Sequence, residues 1–123
     1  MKLRFRDNSL RLRVNQREVT SLAAGNALEG TVRFPNDSRF IYTLEPNAKI
    51  EPEASFDGGR IRITAPLREV KAWAHGESLG LYFDLPADDA TTLRVAIEKD
   101  LECVDTAAEE RDPDAFPRSG TKC

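Results

Sequence analysis

The stretch "KLRFRDNSLRLRV", residues 2–14, reads as two β-strands folded about Asp7-Asn8. Apolar and charged residues alternate on both sides of a two-residue turn, and both turn residues tolerate positive φ, the pattern of a tight hairpin. Folding the stretch there places Lys2 opposite Arg13, Arg4 opposite Arg11 and Arg6 opposite Ser9 on one face. Leu3, Phe5, Leu10 and Leu12 then share the other face, which is the one to bury. The hairpin therefore commits the chain to a sheet with one apolar side and one side carrying a row of five cations.

Reading outward, "VNQREV" (14–19) starts a helix: Asn15 caps it, Glu18 is the capping-box partner, and Val14 and Val19 stand at hydrophobic-staple spacing. Gly25 is placed to end it. Alternation returns in "ALEGTVRF" (27–34) and "RFIYTLEP" (39–46), and "ASFDGGRIRIT" (54–64) forms a further hairpin about Asp57-Gly58-Gly59. "APLREVKAWAHG" (65–76) is a second helix with Pro66 in its first turn and a stripe of Leu67, Val70, Trp73 and Ala74. "LGLYFDLP" (79–86) and "TLRVAIEKDLEC" (92–103) complete the strands. No internal repeat and no splitting linker is evident. The expected fold is a single α+β domain over residues 1–103, followed by an acidic, extended or partly disordered tail, 104–123. Its sheet is expected to be strongly twisted and mainly antiparallel, with seven or eight strands curled toward a barrel and two short helices on the apolar face.

A chain of 123 residues, 40% hydrophobic and 32% charged, suits one soluble domain able to bury a core without metal or disulfide. No apolar run approaches the roughly 18 residues of a membrane span, and arginines interrupt the N-terminal apolar residues where a signal peptide needs a continuous run. A cytoplasmic protein is expected. Cys103 and Cys123 form no metal-binding spacing and are expected to be free thiols. Net charge is −3, but residues 1–20 hold six Lys or Arg against two acids, whereas residues 98–114 hold eight acids against Lys99 and Arg111. The two ends are complementary, and the acidic segment is expected to pack near the basic hairpin with Phe116 as an apolar anchor.

Several local patterns have plainer explanations than chemistry. "GESLG" (76–80) matches a nucleophile elbow, yet a helix precedes Ser78 and a strand follows it, the reverse of the order that motif needs. His75 belongs in a helix's last turn, where the dipole favours a cation. Trp73 and Tyr82 fall in apolar stripes and are expected to pack in or beside the core. In "RVAIEKDLEC", Leu93, Val95, Ile97, Lys99 and Leu101 alternate with Arg94, Glu98, Asp100 and Glu102. The carboxylates are read as a solvated row or as partners of a basic strand, and Lys99 as a cation where the sheet meets solvent.

Taken together, "MKLRFRDNSLRLRV", "NQREVTSLAAG", "ASFDGGRIRITAP", "WAHGESLGLYFD", "IEKDLECVD" and "DAFPRSGTKC" resemble a family of short bacterial proteins built on a domain of unknown function. The resemblance covers most of the chain and implies no activity, cofactor or catalytic residue; it directs attention to Glu98, Lys99, Asp100, Cys103 and Phe116. The residues themselves point to a non-enzymatic binding or accessory module whose basic face meets an anionic small molecule at Arg4, Arg11 and Arg13. Nucleic acid is disfavoured, since net charge is negative and no aromatic residue interleaves with the arginines on their own face. No catalytic residue, metal or cofactor is assigned. The alternative is a small phosphate-handling enzyme in which the arginines stand beside Glu98, Asp100 and a divalent metal.

Overall fold

The computed structural model describes residues 1–101, Asp114 and Phe116. Its elements run β1 (Lys2–Arg6), β2 (Ser9–Val14), α1 (Gln16–Ala23), β3 (Leu28–Arg33), β4 (Arg39–Asn47), β5 (Glu53–Asp57), β6 (Arg60–Pro66), α2 (Leu67–His75), β7 (Gly80–Pro86) and β8 (Thr92–Lys99). The first hairpin forms in the predicted register, with Lys2 opposite Arg13, Arg4 opposite Arg11 and Arg6 opposite Ser9. Asp7 takes the positive φ, 50°. Asn8 ties the turn to β8 by donating its amide to the carbonyl of Thr92 at 2.9 Å. In α1 the Asn15 side chain accepts from Glu18 N–H and the Glu18 carboxylate accepts from Asn15 N–H, the predicted capping box. The Glu18 carboxylate also pairs with the N-terminal ammonium of Met1. Gly76 follows α2, and Ser78 lies in the connection from α2 to β7, as a turn rather than an elbow.

The sheet arrangement corrects the single, mainly antiparallel sheet expected above. There are two four-stranded sheets, ordered β1-β2-β8-β7 and β3-β4-β6-β5, and neither closes into a barrel. Each is mixed: two antiparallel hairpins are joined through a central parallel pair, β2 with β8 in one sheet and β4 with β6 in the other. A parallel pair needs a crossover connection: β4 and β6 are joined by residues 48–59, which include β5, whereas the connection from β2 to β8 runs through both helices and all the other strands but β1. β8 is also shorter than its alternation suggested, stopping at Lys99.

A second correction concerns repetition. The order β-β-α-β-β occurs twice, and the halves superpose in sequence: β1 begins at Lys2 and β5 at Glu53, α1 at Gln16 and α2 at Leu67, each 51 positions on. Phe5 then matches Phe56, Arg11 matches Arg62, Arg17-Glu18-Val19 matches Arg68-Glu69-Val70, and Gly25 matches Gly76. After the helices the spacing becomes 53, so β4, starting at Arg39, matches β8, starting at Thr92. Exchanging the halves turns one sheet into the other, since each hairpin pairs with a hairpin of the opposite half.

The inner faces of both sheets and both helices contribute to one core. Leu12, Val14, Val95 and Ile97 come from the first sheet, Leu44, Ile63 and Ala65 from the second, and Leu22 with Val70 and Trp73 from the helices. Leu22 and Trp73 occupy matching positions and fill the core at the helical end. Trp73 satisfies its indole by donating to the carbonyl of Leu79 at 3.0 Å. Among the described residues no helix is long and apolar enough to cross a membrane.

Candidate anion-binding face

Alternation along β1 and β2 sends Leu3, Leu10 and Leu12 toward the core and Lys2, Arg4, Arg6, Ser9, Arg11 and Arg13 to the outer face of the first sheet. Arg4, Arg6, Ser9 and Arg11 line a recess of about 60 Å³ there. Ser9 Oγ donates to the carbonyl of Arg6 at 2.6 Å across the hairpin turn, fixing one wall. Among the described residues neither Arg4 nor Arg6 makes an ion pair, so two guanidinium groups stand at this hollow with donors to offer.

Arg11 and Arg13 are held from the β8 side. The parallel register sets Arg13 beside Glu98. Glu98 Oε1 lies 3.2 Å from Arg11 Nε and 3.9 Å from Arg13 Nε, and Glu98 Oε2 accepts from Tyr82 Oη at 2.7 Å. The Glu98 side chain is only 7% exposed. Gly80, directly opposite on β7, leaves the room it needs: a Cβ on Gly80 would stand 2.8 Å from Glu98 Cγ. A carboxylate this enclosed requires several partners, and it has them. The same pair recurs in the other half, where Arg62 Nε lies 3.4 Å from Glu45 Oε2. Arg62 matches Arg11 and Glu45 matches Glu98, so the Arg–Glu contact across each parallel pair belongs to the repeated scaffold.

Of the three arginines expected to bind an anion, the structure brings Arg4 and Arg11 to one recess and leaves Arg13 outside it, while Glu98 engages both Arg11 and Arg13. Arg6 and Ser9 are recess residues the sequence reading did not single out, although they occupy the same alternate positions. The alternative placed Glu98 and Asp100 around a metal. In the structure Glu98 is engaged as above, and Asp100 Oδ2 pairs with Lys2 Nζ at 2.9 Å. The described residues hold no group of three or more His, Cys, Asp or Glu side chains placed to share a metal ion. The start of the acidic segment thus does meet the basic hairpin. Residues 102–113, with Cys103, and Cys123 lie outside the described residues, and Phe116 is 96% exposed rather than anchored.

Three further positions sharpen the reading of β7 and β8. Tyr82 corrects an expectation: Leu81, Phe83 and Leu85 take the inner face of β7, leaving Tyr82 outward and 60% exposed, with its hydroxyl on Glu98. Lys99 stands at the end of β8, donates to the carbonyl of Gly76 at 3.0 Å and lies 5.9 Å from the Trp73 ring centroid. It therefore closes the end of α2, where a cation is favoured. His75 occupies the last turn of α2, as expected.

The Family of unknown function (DUF7009) matches residues 1–120. The chain belongs to this family. No curated protein and no solved structure matches it. Membership in DUF7009 thus carries no activity to the site.

Proposed function

We propose that this chain is a binding module for a small oxyanion, a single phosphoryl or carboxylate group, held in the recess of Arg4, Arg6, Ser9 and Arg11. The observation that carries the reading is the charge difference between the matched halves. Arg11 has its counterpart in Arg62, but Lys2, Arg4, Arg6 and Arg13 correspond to Glu53, Ser55, Asp57 and Thr64. Shared residues serve the common scaffold; the basic row is particular to one half. Facing arginines such as Arg4 and Arg11 cost on the order of 0.2–1 kcal/mol, and an anion between them reverses the sign of that contact.

Size and chemistry narrow the ligand. A recess of about 60 Å³ matches roughly two water volumes, enough for one tetrahedral or planar oxyanion and too small for a nucleoside. Guanidinium groups offer paired donors to such a group, and Ser9 adds a hydroxyl at the wall. Calorimetric titration with inorganic phosphate and pyrophosphate tests the reading. Arg4→Ala and Arg6→Ala each remove a charge-assisted contact of about 1.5–3 kcal/mol, so each should weaken binding at least about tenfold. Arg62→Ala, at the matched position in the other half, should leave affinity unchanged. Binding that is insensitive to both Arg4→Ala and Arg6→Ala would remove the recess from consideration.

A further inference from the structure

The helices close only one end of the two-sheet core. At the other end, where the turns of all four hairpins lie, an open cleft of about 350 Å³ separates the sheets. Six of its nine lining residues form three pairs related by the repeat: Phe5 with Phe56, Leu10 with Ile61, and Leu93 with Phe40. Leu10 and Ile61, 5% and 7% exposed, form the floor, and Phe5 and Phe56, 57% and 69% exposed, form the rim. Where α1 and α2 insert Leu22 and Trp73 between the sheets, no element among the described residues is inserted at the turn end, so matched apolar faces remain apart.

We infer that this cleft binds a neutral, apolar small molecule about the size of two or three fused aromatic rings. The volume is more than twice that of an apolar cavity of about 150 Å³, which stays dry and takes up benzene, and it falls in the range of preformed ligand pockets. Among the described residues no charged side chain lines the cleft, and Ser55 is the only polar residue there, so a charged head group inside it would lose its hydration without replacement. The same poverty of polar groups argues against a peptide segment, whose N–H and C=O groups would enter unpaired. Three phenylalanines supply ring faces and edges, and Phe40 and Phe56 already sit with centroids 6.5 Å apart.

The test is a fluorescence titration of the full chain with the neutral probe N-phenyl-1-naphthylamine. Saturable one-to-one binding is expected, with no competition from inorganic phosphate. Ala54 lines the cleft at the position that Leu3 occupies in the other half, so Ala54→Leu narrows it with a side chain the fold already accepts at the matched site. That variant should bind the probe at least about tenfold more weakly. Phe5→Ser with Phe56→Ser removes only exposed rim rings and should also weaken binding while the circular dichroism melt is kept; it decides the matter should Ala54→Leu fail to fold. The inference is overturned by the absence of saturable binding, or by affinity that neither set of substitutions changes. It is equally overturned by a dimer in sedimentation that the rim substitutions dissociate, because the cleft would then be covered by a second copy.

Discussion

Replacing Glu98 by Gln should destabilise the fold several times more than replacing its repeat counterpart, Glu45. Both carboxylates pair with an arginine across a central parallel strand pair, but their surroundings differ. The Glu98 side chain is 7% exposed and meets Arg11, Arg13 and Tyr82, whereas Glu45 and Arg62 are 34% and 52% exposed. Removing one member of a buried pair costs about 3–5 kcal/mol. Here Arg11 and Arg13 are 27% and 35% exposed and can turn to water, and Gln keeps an acceptor for Tyr82, so about 2 kcal/mol is the expected loss. For Glu45→Gln a surface pair predicts roughly 0–1 kcal/mol. At this chain length about 2 kcal/mol lowers the melting temperature by roughly 6–10 °C. Urea denaturation of both variants supplies the free energies directly. Equal losses, or a larger one for Glu45→Gln, would show that burial does not set the value of the two pairs.

Gly80→Ala places a Cβ 2.6 Å from the carbonyl oxygen of Ile97 and 2.8 Å from Glu98 Cγ, and a central-strand carbonyl cannot yield. A loss of about 1–3 kcal/mol is expected, and an unchanged melting curve would refute the packing of Glu98 on Gly80. In the β7–β8 turn, Ala90 N–H donates to Asp88 Oδ1 at 2.8 Å and the Thr91 side chain adds a second bond, together holding the Asp88 carboxyl below its ordinary value. A depressed folded-state value means that the turn's extra stabilisation is present above the ordinary aspartate range and lost as pH falls through the lowered value. The Ala90 amide shift should titrate there, and a midpoint at or above the ordinary aspartate value would contradict the bond.

What was legible in the chain was local. The hairpin at 2–14 and the capped helix after it depend on neighbours a few residues apart, where alternation, turn residues and the Asn15–Glu18 reciprocity act directly. The central parallel pairs join strands that are not neighbours in sequence, and an alternating strand carries no label for its partner, so the two mixed sheets look from sequence like one mainly antiparallel sheet. The repeat itself left a trace in "REV" at 17–19 and 68–70, obscured because the strands around it share pattern more than identity. The same limit governs the site. Arg4 and Arg11 share a face by hairpin register alone, but the engagement of Arg11 and Arg13 by Glu98 follows from the β2–β8 register, and the outward phase of Tyr82 from which face of β7 meets the core.

Backbone amide chemical-shift mapping during titration with inorganic phosphate tests the anion recess most directly, because every non-proline residue of both halves reports at once. The predicted result is saturable change concentrated at Arg4, Arg6, Ser9 and Arg11, with Ser55, Asp57, Arg60 and Arg62 at the matched positions unmoved. Equal shifts in both halves, shifts centred elsewhere, or none at saturating phosphate would contradict it.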